Sequence, residues 1–194
     1  MELYGVRVIL ASKSPRRREL LGRIVKEFDI EVSEVNEDLP ADVHPRLGVE
    51  LLAVRKGAAV AEGNRAAIVL SSDTLVELDG IPLGKPEDEL DAKRMLRALS
   101  GKVHNVHTGV AVHYMGRVYS GVESTSVTFR EMTDGEIEEY IATGEPMDKA
   151  GAYGIQGKGG KLVLCYDGNF DTVMGLSVEL SEGLIARALE DGIE

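Results

Sequence analysis

The chain has a single cysteine, Cys165, and no tryptophan. One thiol excludes an internal disulfide, and the lack of clustered Cys and His side chains argues against a zinc site. Cys165 lies in the apolar run 162–166, where a small buried hydrophobe is expected rather than a nucleophile. No apolar stretch reaches the length of a transmembrane helix. Residues 1–4 lead into a predicted strand with no basic-then-apolar leader, so a cytoplasmic location is expected. Positive charge is scarce too: 22 Lys and Arg against 33 Asp and Glu give a net charge of −11. That argues against a nucleic-acid or membrane-surface binder, and leaves room for a small anionic substrate in a local basic pocket.

What is present is an ordinary globular composition, 43% hydrophobic and 28% charged over 194 residues, enough for one core or two small lobes. The most informative stretch is 6–21, VRVILASKSPRRRELL. Its apolar half predicts a buried strand, and Ser14-Pro15 then predicts a helix start, with serine as N-cap and proline at the first helical position. Ser12, the free backbone N–H groups and Arg16, Arg17 and Arg18 converge there. Such a place attracts phosphate, whereas three arginines at the positive end of a helix are unfavourable without an anion. A solvated helix start is the plain alternative.

Further along, helices are predicted over 15–26, 47–62, 87–99, 133–143 and 178–189. Strands are predicted over 28–35, 66–78 and 81–83, through 103–129 with a turn at Met115-Gly116, and over 162–166 and 170–173. Leu51, Leu52, Val54, Ala58, Ala59 and Ala61 are expected to form the apolar face of the second helix, with Lys56 on its flank. The order predicts an α/β protein with a mixed sheet, for which two lobes and a cleft would be a natural form.

The run Ser71-Ser72-Asp73-Thr74 breaks an apolar strand, and an ionised Asp73 buried there needs a partner, cation or metal. A strand end that has reached solvent is the alternative. Glu37 follows the preceding predicted strand, and two carboxylates from neighbouring strand ends can hold Mg²⁺ beside substrate phosphates. Lys56 and Lys85 would add positive charge. The Gly-rich segment 144–160 carries Asp148, Lys149, Tyr153 and Gln156. Among the four histidines, His104 and His107 are three apart in a strand and point to opposite faces, so they do not share a metal.

The motifs LASKSPRRRELL, SSDT, GKP, the run 91–101, GEPMDKAGAYGIQG and the segment 173–176 resemble the Maf family in order and spacing, over nearly the whole chain. The resemblance implies a single Maf-like domain over 1–194. It implies the mixed, twisted α/β sheet in two lobes with a central cleft found in inosine-triphosphate pyrophosphatases (the Maf/Ham1 fold). It also implies hydrolysis of nucleoside triphosphates to monophosphate and pyrophosphate with a divalent metal, Mg²⁺ or Mn²⁺. On matching positions, Asp73 corresponds to the proton acceptor, and Arg16, Thr74 and Gln156 to positions linked to substrate choice. Ser12, Arg17, Glu37, Lys56, Lys85, Asp148 and Lys149 correspond to phosphate- and metal-site positions, with Glu37 and Asp73 as metal ligands. Asn36 stands where an Asp often precedes Glu37, Gly57 where Ala is usual, and Ser177 where Pro is frequent. GAYGIQG with Thr74 resembles the dTTP/UTP branch rather than the branch acting on 7-methyl-GTP. A homodimer is expected, with no nucleic-acid or membrane partner. A septum-formation regulator acting through protein binding is the reading from another class.

Overall fold

The computed structural model describes residues 5–32, 34–40 and 42–192. The expectations for residues 1–4, and for Ser33 in the second strand, lie outside the described residues.

Strand β1 (Val8–Leu10) is buried throughout and pairs in parallel with β2 (Asp29–Ile30) and β3 (Ile68–Leu78), with Ile9 opposite Asp29 and Val69. The short β4 (Ile81–Leu83) lies antiparallel to β3. Strands β5 (Val103–Tyr114) and β6 (Arg117–Phe129) follow, and β7 (Val163–Asp167) pairs antiparallel to β6. The order is β2-β1-β3-β5-β6-β7, with β4 on β3, so the sheet is mixed as predicted. The helices are α1 (Pro15–Leu21), α2 (Pro45–Ala61), α3 (Glu89–Leu99), α4 (Asp134–Ile141), α5 (Phe170–Met174) and α6 (Val178–Asp191).

The chain divides into two compact units. The first takes the described residues up to Asp73, then Thr108–Glu123 and the described residues from Gly175 on; the second takes Thr74–His107 and Ser124–Met174. In the first unit Ile9, Ala11, Val60, Ala67 and Val69 form one core cluster. Helix α2 buries Pro45, Gly48, Val49, Leu52, Ala53, Gly57 and Val60. This is not the expected apolar stripe, because Leu51 is 41% exposed and Ala58 faces solvent. The buried side is chosen by small residues that let backbones approach: a Cβ on Gly57 would lie 2.5 Å from both Ser71 Oγ and His113 Cδ2.

In the second unit α3 contributes Ala92, Met95, Leu96 and Leu99, and α4 contributes Ile137, Tyr140 and Ile141, to one core with Val106, Val127 and Phe129. Thr133 and Glu136 make the predicted capping box at the start of α4. The rings of His104, Phe129 and Tyr153 meet edge-on, with centroids 4.6 to 5.4 Å apart. Tyr153 thereby ties the Gly-rich segment into this core.

Four more expectations are corrected. Helix α1 stops at Leu21, where the Gly22 N–H closes onto Arg18 and Leu20, and the chain turns. Among the described residues of the strand expected over 28–35, only Asp29–Ile30 form a strand, beside a β1 that is itself three residues long. The segment expected as a strand over 170–173 is helix α5, its start capped by Asn169, whose Oδ1 accepts from the Asp171 N–H at 3.0 Å. Cys165 is exposed, not buried. It sits on β7, which lies at the edge of the sheet and pairs, among the described residues, with β6 alone, and Leu164 and Tyr166 beside it are exposed too.

Candidate active site

In the first unit, β1 runs directly into the loop that starts α1. Ser14 is the N-cap, its Oγ accepting from the Arg17 N–H at 3.4 Å, and Pro15 follows as predicted. The buried Ser12 hydroxyl accepts from the Ser14 N–H at 3.2 Å and from Arg17 Nη1 at 3.4 Å. Arg17 Nε also donates to the Gly175 carbonyl at 2.8 Å. Arg17 is therefore held across the loop rather than trailing in solvent. Burial pushes its guanidinium below the ordinary value; the Asp73 carboxylate opposes this, Arg16 adds to it and Glu37 opposes it. The half-buried Arg16 side chain stands beside it in the first turn of α1.

Within the polar run of β3 the four residues part company. Ser71 and Ser72 are fully buried and structural: Ser71 Oγ donates to the Ala53 carbonyl at 2.7 Å, and Ser72 Oγ to the Gly175 carbonyl at 2.8 Å. Asp73, with its side chain 13% exposed, accepts from Lys56 Nζ at 2.6 Å. Lys56 Nζ also reaches Glu37 Oε1 at 2.9 Å. The close approach of α2 at Gly57 brings the neighbouring Lys56 against β3. The partner that a buried carboxylate requires is thus a lysine shared with a second carboxylate.

Arg55 was not singled out from the sequence. Its Nη1 donates to the carbonyls of Asn36 at 2.5 Å and Asp38 at 3.0 Å, and so fixes the loop that carries Glu37. An arginine next to a lysine on a helix gives no signal in sequence, since its partners are backbone atoms of another segment.

Among the described residues no three His, Cys, Asp or Glu side chains gather into a ready-made metal site. Asp73 and Glu37 nevertheless already converge on one cation, the Lys56 ammonium. A pair of hard carboxylate oxygens suits Mg²⁺ or Mn²⁺, which usually fill their remaining positions with water and phosphate oxygens. The donor set fits such a metal.

In the second unit, Thr74 is the first residue and is half-buried. Lys85 is exposed in a loop whose Gly84 carbonyl accepts from the Gly151 N–H at 2.9 Å, which joins GKP to the Gly-rich segment. Lys149 Nζ donates to the Glu145 carbonyl at 2.7 Å and to Asp148 Oδ1 at 2.6 Å. Gln156 is exposed, with no hydrogen-bond partner among the described residues. His104 and His107 have separate partners: His104 Nε2 meets the Tyr153 hydroxyl at 2.8 Å, and His107 lies between Ser124 at 2.7 Å and Glu77 at 2.8 Å. The structure thus gathers Ser12, Arg17, Glu37, Lys56 and Asp73 in the first unit, and places Thr74, Lys85, Asp148, Lys149 and Gln156 in the second.

The sequence profile of the Maf-like protein family matches residues 7–188. The chain belongs to the Maf family. Two relatives match most of the chain. A protein of Moorella thermoacetica named dTTP/UTP pyrophosphatase is 49% identical over 182 residues, covering 93% of this chain and 94% of its own. One from Bacillus cereus with the same name is 49% identical over 172 residues, covering 89% and 85%. Among solved structures, the Staphylococcus aureus Ham1 protein superposes with a TM-score of 0.51 at 16% identity, covering 97% of this chain and all of that one. At that identity the likeness shows the fold alone: a Maf chain built on the mixed α/β sheet that Ham1 also has.

Proposed function

We propose that this Maf protein is a nucleoside triphosphate pyrophosphatase acting on dTTP and UTP. The observation that carries the reading is Asp73, held by Lys56 next to Glu37, in the same unit as the Ser12–Arg17 loop. The names of the Moorella and Bacillus relatives support it.

Water attacks the α-phosphorus, a new P–O bond forms, and the bond to the β-phosphate bridge breaks with pyrophosphate leaving. Asp73 orients the water and accepts its proton. Arg17, fixed by Ser12 and Gly175, is presented to a triphosphate without further ordering, and Arg16, Lys56 and Lys85 add positive charge. Ser12, Asp148 and Lys149 complete the phosphate-facing set. A divalent metal held by Asp73 and Glu37 would supply charge neutralisation and a more acidic water. An isolated aspartic acid, with a pKa of about 3.9, is otherwise a weak base for water.

For the base, Gln156 offers one donor and one acceptor, which match the O4 and N3–H edge shared by thymine and uracil. Arg16 and Thr74 belong to the same selection. Among the described residues no helix is long and apolar enough to cross a membrane. That is compatible with the cytoplasmic location in this reading, and the exposed Leu164 and Tyr166 on β7 are compatible with a homodimer. A single Maf-like domain over 1–194 belongs to it as well.

The test is kcat/KM across canonical triphosphates and 7-methyl-GTP, with products separated by chromatography. Monophosphate and pyrophosphate from dTTP and UTP are expected. Orthophosphate with a diphosphate would refute the bond cleavage, and a lead for CTP or 7-methyl-GTP would refute the base assignment.

A further inference from the structure

The Gly-rich segment is held by a carboxylate that no phosphate- or metal-site assignment uses. Glu145 opens the 3₁₀ turn Glu145–Asp148, directly after the chain leaves α4. Its Oε2 accepts from the Lys158 N–H at 2.9 Å, and its Oε1 accepts from the Gly159 N–H at 3.0 Å and from the Tyr140 hydroxyl at 3.0 Å. Tyr140 sits on α4 within the core, and its oxygen accepts from the Gly154 N–H at 3.2 Å. Residues 155–157, with Gln156 exposed among them, are thus tied down on both sides: at 154 by Tyr140 and at 158 and 159 by Glu145.

The fit is close. A Cβ on Gly157 would stand 2.5 Å from both Glu145 carboxylate oxygens, so any side chain there would expel the carboxylate. Burial raises the Glu145 pKa, but the Gly159 and Lys158 N–H groups, the Tyr140 hydroxyl and the Lys149 charge outweigh it and hold the group below the ordinary range. Two backbone N–H groups converging on one carboxylate are charge-assisted bonds, the strong kind.

We propose that Glu145 is a positioning residue for base selection: its carboxylate fixes the backbone at 158 and 159, and with Tyr140 sets where Gln156 stands. This rests on the reading of Gln156 as a base-contacting residue. Glu145 touches neither water nor phosphate in this role. Its effect falls on how well the right base is told from the wrong one.

The experiment compares wild type, Glu145→Gln and Tyr140→Phe. The measurements are kcat/KM for each triphosphate, inhibition by inorganic tripolyphosphate, which carries no base, and amide hydrogen exchange at Lys158 and Gly159. A Gln amide presents its oxygen to one side only and turns an NH₂ towards an N–H on the other. Glu145→Gln is therefore expected to speed exchange at those amides and to flatten the preferred-to-CTP ratio roughly tenfold, through KM rather than kcat. The tripolyphosphate inhibition constant stays as in wild type. Tyr140→Phe, which removes the hydroxyl that donates to Glu145 and accepts from the Gly154 N–H, shifts the ratio in the same direction, and decides the matter if Glu145→Gln does not fold. An unchanged ratio in a folded variant overturns the proposal, as does a parallel weakening of tripolyphosphate. The wild-type profile tests the dTTP/UTP reading separately: another preferred base refutes that reading, while the change of profile on substitution still decides Glu145.

Discussion

Asp73 and its neighbours Ser71 and Ser72 look alike in the sequence as polar interruptions of a strand, yet their environments differ. The two serines direct their hydroxyls to backbone carbonyls inside the first unit, whereas the Asp73 carboxyl group meets the Lys56 side chain. Substituting Asp73→Asn preserves volume and removes the charge, leaving Lys56 paired with Glu37. Turnover is expected to fall about 10²- to 10⁴-fold, the range for a positioned acid–base group, while circular dichroism and the unfolding midpoint stay near wild type. A folded variant within a few-fold of wild-type kcat would take Asp73 out of the mechanism. At this scale the identity of the charged residues was legible, but their pairing was not. Lys56 reads as a helix-flank cation in sequence, and only its meeting with both carboxylates shows what it balances.

Among the elements, β5 carries a built-in pH dependence. His104 is buried against Phe129 and Tyr153, and burial lowers its pKa from 6.5 to about 4. The protonated ring carries an N–H on both nitrogens, and Nδ1 is buried without a hydrogen-bond partner among the described residues. The folded state therefore keeps the ring neutral where the unfolded chain already binds a proton. Stability from this residue is complete above pH 6.5 and is lost as the pH falls towards about 4. The total is up to about 3 kcal/mol. Urea unfolding at pH 7 and pH 5 should show the decline, and His104→Phe should flatten it. Equal slopes for wild type and variant would assign the acid sensitivity elsewhere. The elements also show why sequence periodicity failed in α2. Leu51 is apolar and exposed, while Gly48 and Gly57 are buried, because backbone approach rather than side-chain hydrophobicity selects the inward face.

Over the whole molecule, each unit has its own core, and the candidate site is held by contacts within the chain: Lys56 meets both Asp73 and Glu37, and Arg17 is tied to Ser12 and Gly175. Removing divalent metal with a chelator is accordingly expected to abolish turnover and leave the thermal midpoint almost unchanged. Calorimetry with and without chelator checks this, since a structural metal would contribute folding free energy outright and its removal would lower the midpoint. Turnover that survives chelation would remove the metal from the reaction.

The sequence by itself determined what local chemistry decides. The strand–loop–helix at 6–21, the capping box at Thr133 and the stop after α3 follow from propensities and caps acting within a few residues. The long ordered motifs placed the family. Tertiary structure alone decided which side of α2 is buried, that β7 is an edge and leaves Cys165 exposed, and that residues 170–174 coil into a helix. It alone joined Lys56 to two carboxylates, Arg55 to the Glu37 loop and Glu145 to the backbone beside Gln156. The reason is common to all of these: each depends on atoms far apart in the chain, often backbone atoms with no side-chain signature, meeting at distances that only packing sets.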